Sequence, residues 1–179
     1  MTGFVLWFTG LSGAGKSTLA LKVGEEVRAR GIHVEHLDGD AIREHISVGL
    51  GFSRADRDEN IRRIAFVAAI AARCGACSIV SAISPYKDAR QEARASMSEP
   101  FVEVYLNCPL DVLKQRDPKG LYKRAFAGQL RNFTGVDDPY EPPDAAEIVI
   151  RTNVFSVGAS AAMVVAYLEL AQLLPKVST

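Results

Sequence analysis

The stretch Phe4-Val5-Leu6-Trp7-Phe8-Thr9-Gly10-Leu11-Ser12-Gly13-Ala14-Gly15-Lys16-Ser17-Thr18 decides how the rest of the chain is read. The apolar run Phe4–Phe8 reads as a strand, and Lys16 opens a helix. Between them, Gly10 to Ser17 has the G-x-x-x-x-G-K-[ST] spacing of a phosphate-binding loop in its strand-to-helix context. Gly10, Gly13 and Gly15 admit backbone conformations that a side chain resists. The loop N–H groups, with the intervening Leu11, Ser12 and Ala14, can then wrap a polyphosphate at the positive end of the following helix. Lys16 can reach the β- and γ-phosphates, and Ser17, followed by Thr18, can offer a hydroxyl to Mg²⁺. A glycine-rich turn that merely starts a helix is the alternative, and the complete spacing with both flanks sets it aside. The loop names ATP-like triphosphate with Mg²⁺ as ligand and is silent on the acceptor.

Composition narrows the rest. At 179 residues the chain fits one domain, 1–179, with a small lid. Hydrophobic residues make up 48% and charged residues 23%, enough apolar content for a sizeable core. Lys and Arg number 21, as do Asp and Glu, so no broad nucleic-acid surface is expected. The longest apolar candidate, Val157 to Leu174, is interrupted by Glu169 and Gln172 and reads as a core-packed C-terminal helix stopped by Pro175, not a membrane span. Strand one begins almost at Met1, which leaves no room for an export signal, and the odd count of 3 cysteines suits a reducing cytoplasm. Cys74-Gly75-Ala76-Cys77 has redox-motif spacing but no second ligand pair or nearby His.

Strand-like and helical runs alternate. Strands are expected over 4–9, 32–37, 78–83, 102–106 and 148–150. Helices are expected over 16–30, 40–46, 56–73, 88–97 and from 110 to 116, with Asp40 capping the second. This alternation implies a P-loop-type α/β fold: a doubly wound, parallel five-stranded sheet with flanking helices. Ligands of such sheets sit at the carboxyl ends of the strands. The stretch 117–143, rich in charge, Gly and Pro, breaks the alternation and reads as a mobile lid.

Chemistry-bearing residues follow the strands. Asp38-Gly39-Asp40 closes strand two; Asp40 can take a proton from an attacking hydroxyl or hold Mg²⁺ through water, or the pair can simply form a turn and a cap. Ser53 or Asp56 starts the next helix. Arg57 and Asn60 lie three apart on one face of it, suiting a phosphate or sulfate group and a nucleotide edge, and Phe52 can stack on a base. Strand three ends in Ile83-Ser84-Pro85 with no carboxylate, which shifts metal and base duties to Asp38 and Asp40. Ser84 reads equally as a turn hydroxyl or as a group that substrate passes. In the lid, Arg116, Lys119, Lys123 and Arg124 can neutralise transferring phosphate.

Taken in order, these segments resemble the adenylylsulfate kinase family over nearly the whole chain. The resemblance rests on Leu6–Thr18, Leu37–Asp40, Leu50–Ser53, Asp56-Arg57, Glu59–Arg63, Ile83–Tyr86, Lys119–Lys123, Phe133–Gly135 and Asp138–Glu141. It implies transfer of the ATP γ-phosphate to the 3′-hydroxyl of adenosine 5′-phosphosulfate, with ATP and Mg²⁺ required. It implies Asp40 as base and metal organiser beside Asp38 and Ser17, with Lys16 at the phosphates. Arg43, Arg57 and Asn60 are implied on the phosphosulfate, and Phe52 and Phe133 on the two faces of its adenine. Ile83, Lys119 and Leu121 are implied at the substrate, and Ser84 matches a serine assigned as a phosphoserine intermediate. Family pattern often has Asn and Phe where this chain has Ala41 and Ala82. A homodimer, and association with ATP sulfurylase, are further implications; the fused or N-terminally extended forms of the family are not expected here.

Two alternatives stay open at this point. Another small-molecule or nucleotide kinase would use the same Asp pair, Arg57 and Asn60. A GTPase-like switch would use Asp117-Pro118-Lys119-Gly120 as D-x-x-G, although it follows strand four and no Asn-Lys-x-Asp signature exists.

Overall fold

The computed structural model describes residues 3–176. Its centre is a five-stranded sheet in the order β2-β3-β1-β4-β5, made by β1 (Phe4–Thr9), β2 (Val34–Asp38), β3 (Cys77–Ser81), β4 (Phe101–Asn107) and β5 (Ile148–Arg151). Every pairing is parallel, so each connection must cross a face of the sheet, and helices make the crossings. β1 is buried along its whole length, with Val5 registered against Ser78 on one side and Phe101 on the other.

Alternate residues of β1 feed two cores, as the period of two in a strand requires. Phe4, Leu6 and Phe8 face α1 (Lys16–Arg28) and α7 (Val157–Leu170), against Val23, Val27, Val164 and Leu168. Val5 and Trp7 face α3 (Arg54–Arg73) and α4 (Lys87–Ala95), against Ile61, Ile64, Ala68 and Ala89. The chain leaves β1 through α1 toward β2, and leaves neighbouring β3 through α4 toward β4. These opposed departures open a crevice at the carboxyl ends of β1 and β3, the place where open α/β sheets bind ligands.

Several boundaries differ from those expected. β2 covers 34–38 instead of 32–37, because its pairing with β3 runs from Val34 to Asp38. β3 ends at Ser81, two residues early, and the backbone turns away through Ser84 at a φ of 42°. The helix α2 (Gly39–His45) is capped by Asp38, whose carboxylate accepts from the Asp40 N–H; Asp40 already lies inside the helix. Ser53, not Asp56, caps α3. α7 stops at Leu170, well before Pro175. Gln172 adopts a left-handed φ of 58°, and the Leu173 and Leu174 N–H groups fold back onto the Leu168 carbonyl, which tucks Leu174 into the core. Among the described residues no helix is long and apolar enough to cross a membrane.

The 117–143 excursion follows α5 (Leu110–Arg116) and contains one short helix, α6 (Leu121–Phe126). The Asp117 carboxylate accepts from the Tyr122 and Lys123 N–H groups and so caps α6. With both oxygens so engaged, Asp117 is a helix cap rather than the acid of a D-x-x-G switch.

Candidate active site

The crevice is an open cleft of about 370 Å³, lined by the phosphate-binding loop, the β2 end, the start of α3, the turn after β3, Asp117–Lys119 and Tyr122. The loop follows from its glycines. A Cβ on Gly10 would meet the Leu106 carbonyl oxygen at 2.6 Å, and Gly10, Gly13 and Gly15 all have positive φ. Gly15 precedes α1 without any side-chain cap, leaving the first-turn N–H groups for an anion. Lys16 Nζ donates to the carbonyls of Gly10 and Leu11 at 2.8 and 2.9 Å. Burial lowers its pKa to about 8, against the upward pull of Asp40 and Asp38, while Lys119 lowers it further.

Across the cleft, Ser17 Oγ donates to Asp38 Oδ2 at 2.8 Å, joining the loop to the end of β2. Asp38 therefore does two jobs: one oxygen caps α2 and the other meets Ser17. Asp40 is exposed and pairs with Lys119 Nζ at 2.7 Å. Burial is decisive for the α3 pair. Arg57 and Asn60 are 7% and 4% exposed, so this face is not a solvated charged stripe. Arg57 donates to the carbonyls of Phe52 and Asn132 and lies 3.6 Å from Asp138 Oδ2. Asn60 Oδ1 is buried without a partner in a residue that lines the cleft. A buried acceptor left unmatched is costly, which makes it a seat for a ligand hydroxyl or amine. Arg43 stacks its guanidinium 4.7 Å from the Phe52 ring centre and donates to the Gly51 carbonyl.

Ser84 lines the cleft yet is 2% exposed. Its hydroxyl accepts from the Trp7 indole at 3.0 Å and donates to the Ala82 carbonyl at 3.3 Å. Some expected residues lie elsewhere. Phe133 packs edge-on against Tyr122 at 5.2 Å, joins the α1-side core and is absent from the cleft lining, as is Leu121. Gly10, Leu11 and Ala14 form the back of the loop rather than its lining. Of the basic residues in and beside the excursion only Lys119 enters the cleft; Arg116 donates to the Thr152 carbonyl, and Lys123 and Arg124 are exposed outside it. Cys74, Cys77 and Cys108 are free thiols, and burial pushes the Cys77 thiol far up.

Sequence reasoning assigned no role to the residues that brace this cleft. Tyr122 Oη donates to the Ser12 carbonyl, and Tyr86 Oη donates to Asp138 Oδ1 at 2.7 Å. Thr9 Oγ1 donates to the Ile83 carbonyl at 2.7 Å, so Tyr140 Oη, 2.9 Å away, is the donor to Thr9. The motif segments Ile83–Tyr86 and Asp138–Glu141 were the available signal, since two polar-aromatic segments far apart in sequence prove to be hydrogen-bonded together.

Comparison with known proteins points to one family. The family model described as adenylylsulphate kinase matches residues 2–151. An adenylyl-sulfate kinase of Synechococcus sp. (strain JA-3-3Ab) is 56% identical over 155 residues, covering 87% of this chain and 88% of that protein. A probable bifunctional SAT/APS kinase 2 of Sorangium cellulosum is 57% identical over 169 residues, covering 94% of this chain, which spans 29% of that larger protein. Among solved structures, the Mycobacterium tuberculosis APS kinase CysC in complex with AMPPNP and APS superposes with a TM-score of 0.91 at 42% identity, covering 94% of this chain and 98% of that one.

Proposed function

The chain belongs to the adenylylsulphate kinase family, and we propose that it uses this cleft to transfer the γ-phosphoryl group of ATP to the 3′-hydroxyl of adenosine 5′-phosphosulfate (APS). The products are ADP and 3′-phosphoadenosine 5′-phosphosulfate. The observation that carries this reading is the family match over residues 2–151, the span that holds every residue lining the cleft.

The division of labour follows from the chemistry of each group. Phosphoryl transfer asks the protein for in-line positioning and charge neutralisation more than for covalent chemistry. Lys16 exchanges its two loop carbonyls for the β- and γ-phosphates, and the uncapped start of α1 receives the remaining phosphate charge. Asp40 accepts the hydrogen bond, and then the proton, of the attacking hydroxyl. Its present partner Lys119 is exposed, and such a pair contributes only about 0–1 kcal/mol, so substrate readily displaces it. Lys119, once freed, faces the transferring charge. Arg57 takes the phosphosulfate anion, the orphaned Asn60 oxygen takes a donor on the nucleoside, and Phe52 stacks on adenine. Direct transfer makes a phosphoserine at Ser84 unnecessary; the buried, doubly bonded hydroxyl favours a positioning role.

The hydroxyl of Ser17 beside the carboxylate of Asp38, with Asp40 two residues on in the first turn of α2, is an all-oxygen set suited to Mg²⁺, which takes one or two protein carboxylates and completes its shell with water and phosphate. When bound, Mg²⁺ would supply charge neutralisation at the phosphates, with Ser17 and Asp38 holding it. The 117–143 segment, carrying Lys119, is the lid that excludes water as a competing acceptor. Phe133 joins the adenine only after the lid rearranges.

The chain acts as a homodimer in the cytoplasm in this reading. Exposed Phe66 and Ile70, one turn apart on α3, offer an apolar seat for a second copy, and three free cysteines suit a reducing compartment. Association with ATP sulfurylase is suggested by the bifunctional relative. The test is a coupled assay: ADP must form with APS and ATP, and absence of ADP while another acceptor is phosphorylated would overturn the assignment.

A further inference from the structure

Arg90 lies on α4, outside the cleft lining, and is 3% exposed. Its guanidinium makes three bonds to three separate segments. Nε donates to Glu103 Oε1 on β4 at 2.8 Å, Nη1 to the Ser84 carbonyl at 2.6 Å and Nη2 to the Glu141 carbonyl at 2.7 Å. Ser84 belongs to the cleft wall, and Glu141 to the C-terminal end of the 117–143 excursion. We propose that Arg90, charge-balanced by Glu103, is a positioning residue for the acceptor side of the cleft, because one rigid fork ties the left-handed Ser84 turn to the root of the lid. This rests on the reading that APS binds beside Ser84.

Further contacts make the Ser84 turn and the lid root one unit. The Glu141 N–H donates to the Pro85 carbonyl at 2.8 Å, and the Lys87 N–H donates to Glu141 Oε2 at 2.7 Å. Tyr140, under the Arg90 guanidinium at 5.8 Å, donates to Thr9, which holds the neighbouring Ile83 carbonyl. Ser84 needs such support, since a non-glycine residue at φ 42° persists only where its surroundings over-determine it. A buried ion pair is by itself a poor stabiliser, because desolvation offsets the attraction and apolar residues of similar volume do as well. What two apolar side chains cannot do is hold two carbonyls from different segments at once. Lysine, with one point-like ammonium in place of a planar fork, cannot span all three partners.

The experiment compares the intact protein with Arg90→Lys and with the double variant Arg90→Met/Glu103→Leu. Thermal melting, and KM for APS and for ATP, are measured on each. The double variant removes the pair without leaving a lone buried charge but frees the Ser84 and Glu141 carbonyls, so it is expected to fold with a melting temperature lowered by a few degrees. KM for APS is expected to rise about tenfold in both variants, with KM for ATP within about twofold. Folded variants with unchanged KM for APS overturn the proposal, as do equal rises for both substrates. If neither variant folds, Arg90 is a folding residue and the proposal also fails. Failure of the underlying reading looks different: the unaltered protein itself would show no saturable turnover with APS.

Discussion

Lys16 offers a quantitative pH test of the donor site. In the free protein its ammonium is held by two loop carbonyls, and its burial brings the pKa to about 8. A group with that pKa is about 90% protonated at pH 7 and about 10% protonated at pH 9. If only the cation pairs with triphosphate, affinity for a non-hydrolysable ATP analogue falls about tenfold, or ~1.4 kcal/mol, between pH 7 and pH 9. Unfolding does not confound the measurement. Free lysine titrates near 10.5, so between about 8 and 10.5 the unfolded chain binds the extra proton, and this group's contribution to stability rises with pH across that window. Isothermal titration at pH 7, 8 and 9, with Lys16→Met measured in parallel, provides the assay. The variant should bind weakly and lose this pH dependence. A flat profile in the unaltered protein, or the same slope in Lys16→Met, would refute the reasoning.

The remaining predictions separate roles that the geometry superimposes. Asp38→Asn keeps an N-cap for α2 and so should leave melting nearly unchanged while turnover collapses; Asp38→Ala should also cost about 1 kcal/mol of stability by denaturant titration. Asp40→Asn should abolish turnover and leave ATP binding largely intact, because its ion pair with Lys119 is exposed; near-normal turnover removes Asp40 from the mechanism. Phe52→Ala should raise KM for APS more than KM for ATP, and equal effects would argue against stacking. Phe133→Ala removes an edge contact to the buried Tyr122, so we expect lowered melting together with weaker APS binding, the latter only if the lid closes over adenine.

The fold was legible because its signals are local. Gly10, Gly15, Lys16 and Ser17 lie within one short loop and the helix start that follows it, and the apolar strands between helical runs require a parallel sheet. Boundaries slipped where tertiary contacts compete with local preference. β3 stops at Ser81 because the chain must turn into the Ser84 bend. α7 stops at Leu170 because folding Leu174 back into the core outweighs continuing the helix to Pro175. Asp40 was the plausible cap from its place in the string, yet Asp38 has the extended backbone, φ −80° and ψ 133°, that a cap needs.

By itself, then, the sequence determined the phosphate loop, the α/β class and most of the residues that line the cleft, since spacing within a strand or helix turn is set by covalent geometry. Only the tertiary structure decided how they are shared out. It made Arg57 and Asn60 buried rather than solvated, gave Asp38 both a cap and a partner in Ser17, and engaged the Ser84 hydroxyl with Trp7. It also brought Arg90 to the carbonyls of Ser84 and Glu141, which are 57 positions apart in the sequence. Those outcomes depend on which strands are neighbours in the sheet and on which polar groups lose their water, and neither is a property of any local stretch of sequence.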